Sequence, residues 1–136
     1  MKNACVKKVA VTIKGLHHVQ ISIPVGAEDQ ARQFYCGVLD LTEIPKPASL
    51  VGRGGFWLQL GDSQIHFGTE DGVERKKTKG HAAYLVEDLD GWRQTLIKVG
   101  CEVKDGIPIP GYDRFEFRDP FGNRVEFLEA HASVAE

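Results

Sequence analysis

Residues 15–23 read Gly-Leu-His-His-Val-Gln-Ile-Ser-Ile, and a related pattern, Gly-His-Ala-Ala-Tyr-Leu-Val, occupies residues 80–86. In the first stretch the apolar side chains of Val19, Ile21 and Ile23 alternate with polar ones, which predicts a half-buried β-strand. Each stretch is followed by an acidic pair, an amphipathic segment with an Arg-Gln dipeptide, and a turn before a short alternating strand. The order of these features predicts that the chain is built from a duplicated unit.

Each unit is predicted to run strand, helix and then two or three strands. Apolar residues recur with a helical period over residues 28–39 and 89–99, and Gly100 is suited to end the second helix. A Gly61-Asp62 turn separates two of the predicted strands. The predicted strands cover residues 16–23, 55–60, 64–68, 81–86, 113–118 and 124–129. The sequence thus predicts one α+β domain over residues 1–136, with module 1 at about 15–70, a solvated linker at 71–79 and module 2 at about 80–130.

Composition narrows the class of protein. The chain has 136 residues, of which 42% are hydrophobic and 26% charged, and its formal net charge is −2. These values fit an ordinary globular domain and argue against a nucleic-acid partner or a polybasic membrane surface. No apolar run reaches the roughly 18 residues of a membrane span, and the first residues do not resemble a signal peptide.

The cysteines favour a reducing compartment. Cys5, Cys36 and Cys101 are odd in number and form no Cys-x-x-Cys pair. They therefore indicate neither a disulfide framework nor a zinc knuckle, and each is expected to be a buried or half-buried apolar residue. We expect a cytoplasmic protein with a small-molecule substrate.

Four titratable residues fall on the polar faces of the predicted strands, at matching places of the repeat. His18 and His66 belong to the first and last strands of module 1, and His81 and Glu126 hold the corresponding places in module 2. If the modules pack as a pseudo-symmetric pair, all four side chains can converge on a concave surface. Instead of binding a metal, each histidine could be a surface or capping residue, and Glu126 could be a solvent-facing strand residue. His17 falls on the other face of the predicted strand from His18 and is expected to be structural or exposed.

Three imidazoles and one carboxylate are suitable ligands for a divalent transition metal. Neutral imidazole offers a lone pair, and the carboxylate offsets the charge of the cation. This donor set suits Zn, Ni, Mn, Co or Fe better than Mg or Ca, which prefer oxygen ligands.

Five sequence stretches resemble the vicinal oxygen chelate superfamily, which includes glyoxalase I, fosfomycin- and bleomycin-resistance proteins and extradiol dioxygenases. The most specific is Asp-Pro-Phe-Gly-Asn-Arg-Val-Glu at residues 119–126. The other four lie at residues 16–21, 34–41, 64–67 and 80–83. The resemblance implies paired βαβββ modules that form an open, cup-shaped barrel around a divalent ion. It also implies a homodimer, with sites built within one chain or between two.

The resemblance assigns His18, His81 and Glu126 to the family's usual metal ligands. His66 stands where glyoxalase I enzymes carry Glu or Gln, so the lactoylglutathione reaction is not carried over. Asp40 also replaces the usual glycine after the helix motif. The leading hypothesis is a lyase or isomerase that acts on adjacent oxygens through a metal-stabilised enolate or alkoxide, with Glu126 or His66 as base.

Two other functions stay open. One is an Fe(II) extradiol-type dioxygenase, and the other is a non-catalytic protein that binds a drug or metabolite. Arg53 and Trp57 in the Gly-rich stretch, and Tyr112 and Arg114 after Pro110-Gly111, are candidate substrate contacts, because a guanidinium suits a carboxylate or phosphate. Alternatively, these four residues are solvated loop residues with no role in substrate binding.

Overall fold

The computed structural model describes residues 10–132, so the predictions that concern Cys5 and the start of the chain lie outside the described residues. In module 1, β1 (His18–Ile23) lies parallel to β4 (Ser63–Thr69). The antiparallel strands β3 (Phe56–Leu60) and β2 (Thr42–Ile44) complete a four-stranded sheet in the order β1-β4-β3-β2. A turn at Gly61 joins β3 to β4, as predicted.

Module 2 repeats this topology. β5 (His81–Leu85) lies parallel to β8 (Arg124–Ala130), and β7 (Tyr112–Arg118) and β6 (Lys104–Asp105) follow in the order β5-β8-β7-β6. The predicted strands are confirmed to within two residues at each end. The two sheets do not close into a barrel, and the architecture is the expected α+β pair of βαβββ modules in an open arrangement.

The helix of module 1 differs from a regular α-helix in its second half. α1 (Glu28–Arg32) continues into a π-helical segment (Gln33–Val38), in which the amide of Leu39 donates to the carbonyl of Phe34 at 2.9 Å. The wider turn accompanies the burial of the adjacent aromatic residues Phe34 and Tyr35. Asp40 then adopts a left-handed φ of 63°, a conformation that glycine adopts more readily.

The helix of module 2, α2 (Leu89–Lys98), is regular. At the N-terminus of α2, the side chain of Asp88 accepts a hydrogen bond from the amide of Gly91. Just beyond the C-terminus of α2, Gly100 has a left-handed φ of 97°. Leu89 and Leu96 are its buried residues. Within residues 10–132 no helix is long and apolar enough to cross a membrane.

One apolar core is shared by both modules. The inward faces of the two sheets supply Ile65 and Phe67 in module 1 and Phe115 and Phe127 in module 2, and the helices pack against the same core. The rings of Phe34 and Phe117 lie 6.3 Å apart, which joins the module 1 helix to the module 2 sheet. The opposite, polar face of each sheet carries the candidate functional residues.

The loop at residues 119–123 fixes the junction of the modules. Asp119 is buried and accepts hydrogen bonds from the hydroxyl of Tyr35 at 2.7 Å and from the amides of Phe121 and Asn123. The side chain of Asn123 donates to the carbonyl of Ser22 in β1 at 2.9 Å. This part of the family motif therefore holds module 2 against module 1.

The linker is not uniformly solvated. Arg75 lies in a short helical turn (Arg75–Lys77) and is only 7% exposed. Its guanidinium donates to the carbonyl and hydroxyl of Ser22 and to the carbonyl of Glu70. The prediction of a solvated connector is wrong at Arg75, because these acceptors replace water around the buried charge.

Candidate metal centre

The first pair of candidate ligands lies on the polar face of the module 1 sheet. β4 lies between β1 and β3, and His66 is paired in register with Trp57 of β3. The Trp57 ring stacks on the His66 imidazole with centroids 3.8 Å apart and planes 3° apart. The His18 ring stacks from the β1 side, also at 3.8 Å, with planes 14° apart. His18 and His66 are thus in direct contact.

The environment of His66 keeps its imidazole neutral. The residue is 4% exposed, and its Nε2 lies 2.9 Å from Oε1 of Gln64. Burial is the largest cause that lowers its pKa to about 4, and the nearby His18, His17 and Lys46 lower it further. A neutral imidazole retains a lone pair for a metal, but with this pKa it is a weak base at neutral pH.

The second pair of candidate ligands lies on the polar face of the module 2 sheet. Nε2 of His81 is 2.9 Å from Oε1 of Glu126, and Nδ1 of His81 is 3.0 Å from the carbonyl of Lys79. A carbonyl can only accept, so Nδ1 donates to it, and Nε2 is the nitrogen directed at the site. Nη1 of Arg114 binds the other oxygen of Glu126 at 3.1 Å. Glu126 is 6% exposed, and both of its oxygens have cationic or imidazole partners.

The two pairs occupy equivalent positions. His18 is in register with Gln64, two residues before His66, and His81 is in register with Arg124, two residues before Glu126. We name His18 with His66 the module 1 half-site, and His81 with Glu126 the module 2 half-site. Within residues 10–132 of one chain, no group of three or more His, Cys, Asp or Glu side chains lies close enough to hold a metal ion. A single chain therefore presents two half-sites.

A cavity of about 520 Å³ opens beside the module 1 half-site. We name it the module 1 cavity. Its lining includes Lys46 and Arg53 as well as His17, His18, Trp57 and His66. Of the four proposed substrate contacts, Arg53 and Trp57 line this cavity, whereas Arg114 binds Glu126 directly. Tyr112 lies with Arg114 on the polar face of β7, at the edge of a separate surface depression.

Several contacts of the half-sites have no clear sequence signal. Gln64 is the partner of His66, and its alternating position in β4 could have drawn attention to it. Lys46 stands between two prolines in no recognisable motif. His17 is exposed, as expected, but its Nδ1 lies 3.0 Å from Nδ1 of His18, so it is not remote from the candidate site.

The two cysteines that the structure describes, Cys36 and Cys101, do not belong to either half-site. Cys36 and Cys101 are free thiols of intermediate burial, as expected, and burial raises the pKa of both. A neutral thiol that is partly buried is a poor nucleophile and a poor metal ligand.

Residues 15–127 match the family model of the glyoxalase/bleomycin resistance protein/dioxygenase superfamily. A crystal structure of a protein assigned to the glyoxalase family from Bacillus anthracis is 43% identical, with a TM-score of 0.82 over 90% of this chain and 100% of that one. A search of curated proteins found no significant match.

Two more distant structures share the fold. A glyoxalase/dioxygenase from Nostoc punctiforme is 17% identical, with a TM-score of 0.75 over 93% of this chain and 99% of that one. The fosfomycin resistance protein FosX from Listeria monocytogenes, in complex with Mn(II) and sulfate, is also 17% identical, with a TM-score of 0.72 over 90% and 94% of the two chains.

Proposed function

Because the chain belongs to the glyoxalase/bleomycin resistance protein/dioxygenase superfamily, we propose that its two half-sites make it a divalent-metal-dependent enzyme. In this proposal His18 and His66 of one copy meet His81 and Glu126 of a second copy, so that a homodimer holds two sites. One observation carries the proposal. The two donor pairs occupy equivalent positions on the two sheets, yet within one chain the two pairs do not come together into a single site.

The donor chemistry fits such an ion. The low pKa of His66 leaves its imidazole neutral at pH 7, and the arrangement around His81 directs Nε2 toward Glu126. Glu126 supplies negative charge close to the imidazoles. A divalent ion of the Zn, Ni, Mn, Co or Fe type held there would supply Lewis-acid chemistry to two adjacent oxygens of a small substrate.

Glu126 is our candidate for the base. His66 lies between two stacked rings with its Nε2 next to Gln64, which suits a fixed ligand, whereas a carboxylate has a second oxygen that can take a proton. Glu126 projects from a sheet face, and Arg114 orients its second oxygen. We assign proton transfer to Glu126, metal binding to all four ligands, and the orientation of His66 to Trp57 and Gln64.

The first test is elemental analysis of the protein purified without added metal. We expect about one transition-metal ion per chain, and His81→Ala should remove most of it, because the module 2 half-site then keeps only its carboxylate. His131→Ala is the matched control, since His131 contacts Asp113 instead of either half-site. His17 is a poorer control because it contacts His18.

The identity of the ion separates the candidate activities. Zn, Ni or Mn supports lyase or isomerase chemistry, whereas Fe supports the extradiol-type dioxygenase. A protein that binds small molecules but takes up none of these ions, even when they are supplied, would contradict the proposal and favour a non-catalytic binding protein. Equal loss of metal in His81→Ala and His131→Ala would also contradict it.

A further inference from the structure

We propose that the module 1 cavity recognises an oxyanion group of the substrate, a carboxylate or a phosphate ester, through Lys46 and Arg53. The identification of this anion as a substrate rests on the proposed function, but the binding of an anion to the cavity does not. The inference is drawn from the charges that line the cavity and from the way in which its loop is held.

The cavity carries two permanent positive charges and no lining carboxylate within residues 10–132. Neither Lys46 nor Arg53 forms an ion pair in that part of the chain. Lys46 is half-buried and Arg53 is exposed. Unpaired cations in a concave surface attract an anion more strongly than the same charges on an open surface.

The loop that carries Arg53 is firmly held. Nζ of Lys46 donates to the carbonyl of Gly54 at 2.7 Å, and the amide of Gly55 donates to Oε2 of Glu28 at 2.8 Å. Gly55 has a φ of 81°, and a Cβ there would lie 1.9 Å from the carbonyl oxygen of Phe67. The loop can therefore approach β4 only with glycine at this position. The loop is thus anchored immediately after Arg53.

Glu28 is the carboxylate nearest this loop, and it is already engaged. The hydrogen bond from the amide of Gly55 is the largest cause that lowers the pKa of Glu28. Glu28 does not line the cavity. An incoming oxyanion would meet Lys46 and Arg53 from the open side.

The test uses the full chain after removal of metal, so that binding of an anion is measured separately from metal binding. Malonate and methyl phosphate are the two anionic probes, and malonamide is the neutral probe of similar size. Binding is followed by the imidazole NMR signals of His18 and His66. We expect both anions, or one of them, to bind at least about tenfold more tightly than malonamide, because a hydrogen bond between two charged groups is stronger than one to a neutral amide.

Three variants test the residues. Lys46→Met and Arg53→Met should each weaken anion binding about tenfold, and Arg53→Lys should retain most of the affinity because it keeps the charge. Lys98→Met, on the exposed end of α2, should change nothing. Equal binding of malonamide, or an equal effect of Lys98→Met, would overturn the proposal, as would the absence of anion binding.

Metal uptake by the wild-type chain, measured separately, distinguishes this proposal from the proposed function. The anion assays use metal-free protein, so their outcome does not depend on whether the chain takes up an ion. Anion binding without metal uptake would support this inference and contradict the proposed function. Metal uptake without selective anion binding would contradict this inference and support the proposed function.

Discussion

His66 combines burial, two stacked rings and one hydrogen-bond partner in a position where the sequence shows only an alternating polar residue. Its low pKa follows from burial and from neighbouring positive charge, both of which oppose the imidazolium form. In the proposed metal site, this feature would leave His66 free to bind an ion at neutral pH without competition from a proton.

The low pKa of His66 predicts a pH-dependent stability of the metal-free protein. Unfolded histidine takes up a proton near pH 6.5, whereas folded His66 does so at about pH 4. The unfolded state therefore binds more protons between these values, and stability falls as the pH is lowered from about 6.5 to about 4. Between pH 7 and pH 4.5 we expect this residue to account for a loss of about 2–3 kcal/mol in the free energy of unfolding.

Urea denaturation of wild type and His66→Gln at these two pH values measures this loss. The variant should lose less stability on acidification by about that amount, and His131→Gln, at an exposed position, should behave like wild type. The same acid sensitivity in wild type and His66→Gln would show that His66 is not the group responsible. An imidazole NMR titration of His66 with a midpoint near pH 6.5 would contradict the account more directly.

At the scale of elements, the junction between the modules depends on the loop at residues 119–123. Tyr35 in the π-helical segment and Tyr84 in β5 are both buried tyrosines, and the charge of Asp119 raises the pKa of each in addition to burial. Only Tyr35 donates to Asp119. Among the buried side-chain nitrogen and oxygen atoms of residues 10–132, the hydroxyl of Tyr84 is the one without a hydrogen-bond partner.

These two tyrosines form a matched pair for mutation. Tyr35→Phe should lower the free energy of unfolding by about 1–3 kcal/mol, because it removes a buried hydrogen bond to a charged group. Tyr84→Phe should be neutral or slightly stabilising, because its hydroxyl gains nothing from burial. Thermal and urea unfolding of the two variants provide the measurement. Equal destabilisation would show that the Tyr35–Asp119 hydrogen bond does not hold the junction.

The elements were largely predictable because their signals are local. Alternation along β1, β4, β5 and β8 places His18, His66, His81 and Glu126 on the polar faces, and the structure has these faces as expected. The π-helical turns were not predictable, because they accompany the burial of Phe34 and Tyr35 in a core shared by both modules. The burial of Arg75 was missed for the same reason, since its acceptors include Ser22, far away in the sequence.

At the scale of the whole molecule, the sequence could not show how the two modules meet. Alternation along a strand determines the sheet face on which a side chain lies. It does not determine which face of another sheet packs opposite that face. The hypothesis that all four ligands converge therefore left open whether one chain or two would supply them. The structure divides the four candidate ligands into two half-sites, and the proposed homodimer is the symmetric arrangement that joins each half-site to its complement.

Metal uptake by mixed dimers tests the shared site most directly. One variant carries His18→Gln and His66→Gln, and the other carries His81→Gln and Glu126→Gln, with circular dichroism to confirm that both fold. Neither variant alone should bind the ion. After the two are mixed and allowed to exchange subunits, half of the dimers are mixed and each holds one intact site, so about one ion per four chains should be recovered. No recovery of metal in a mixture that exchanges subunits, while wild type binds one ion per chain, would contradict a site shared between two copies.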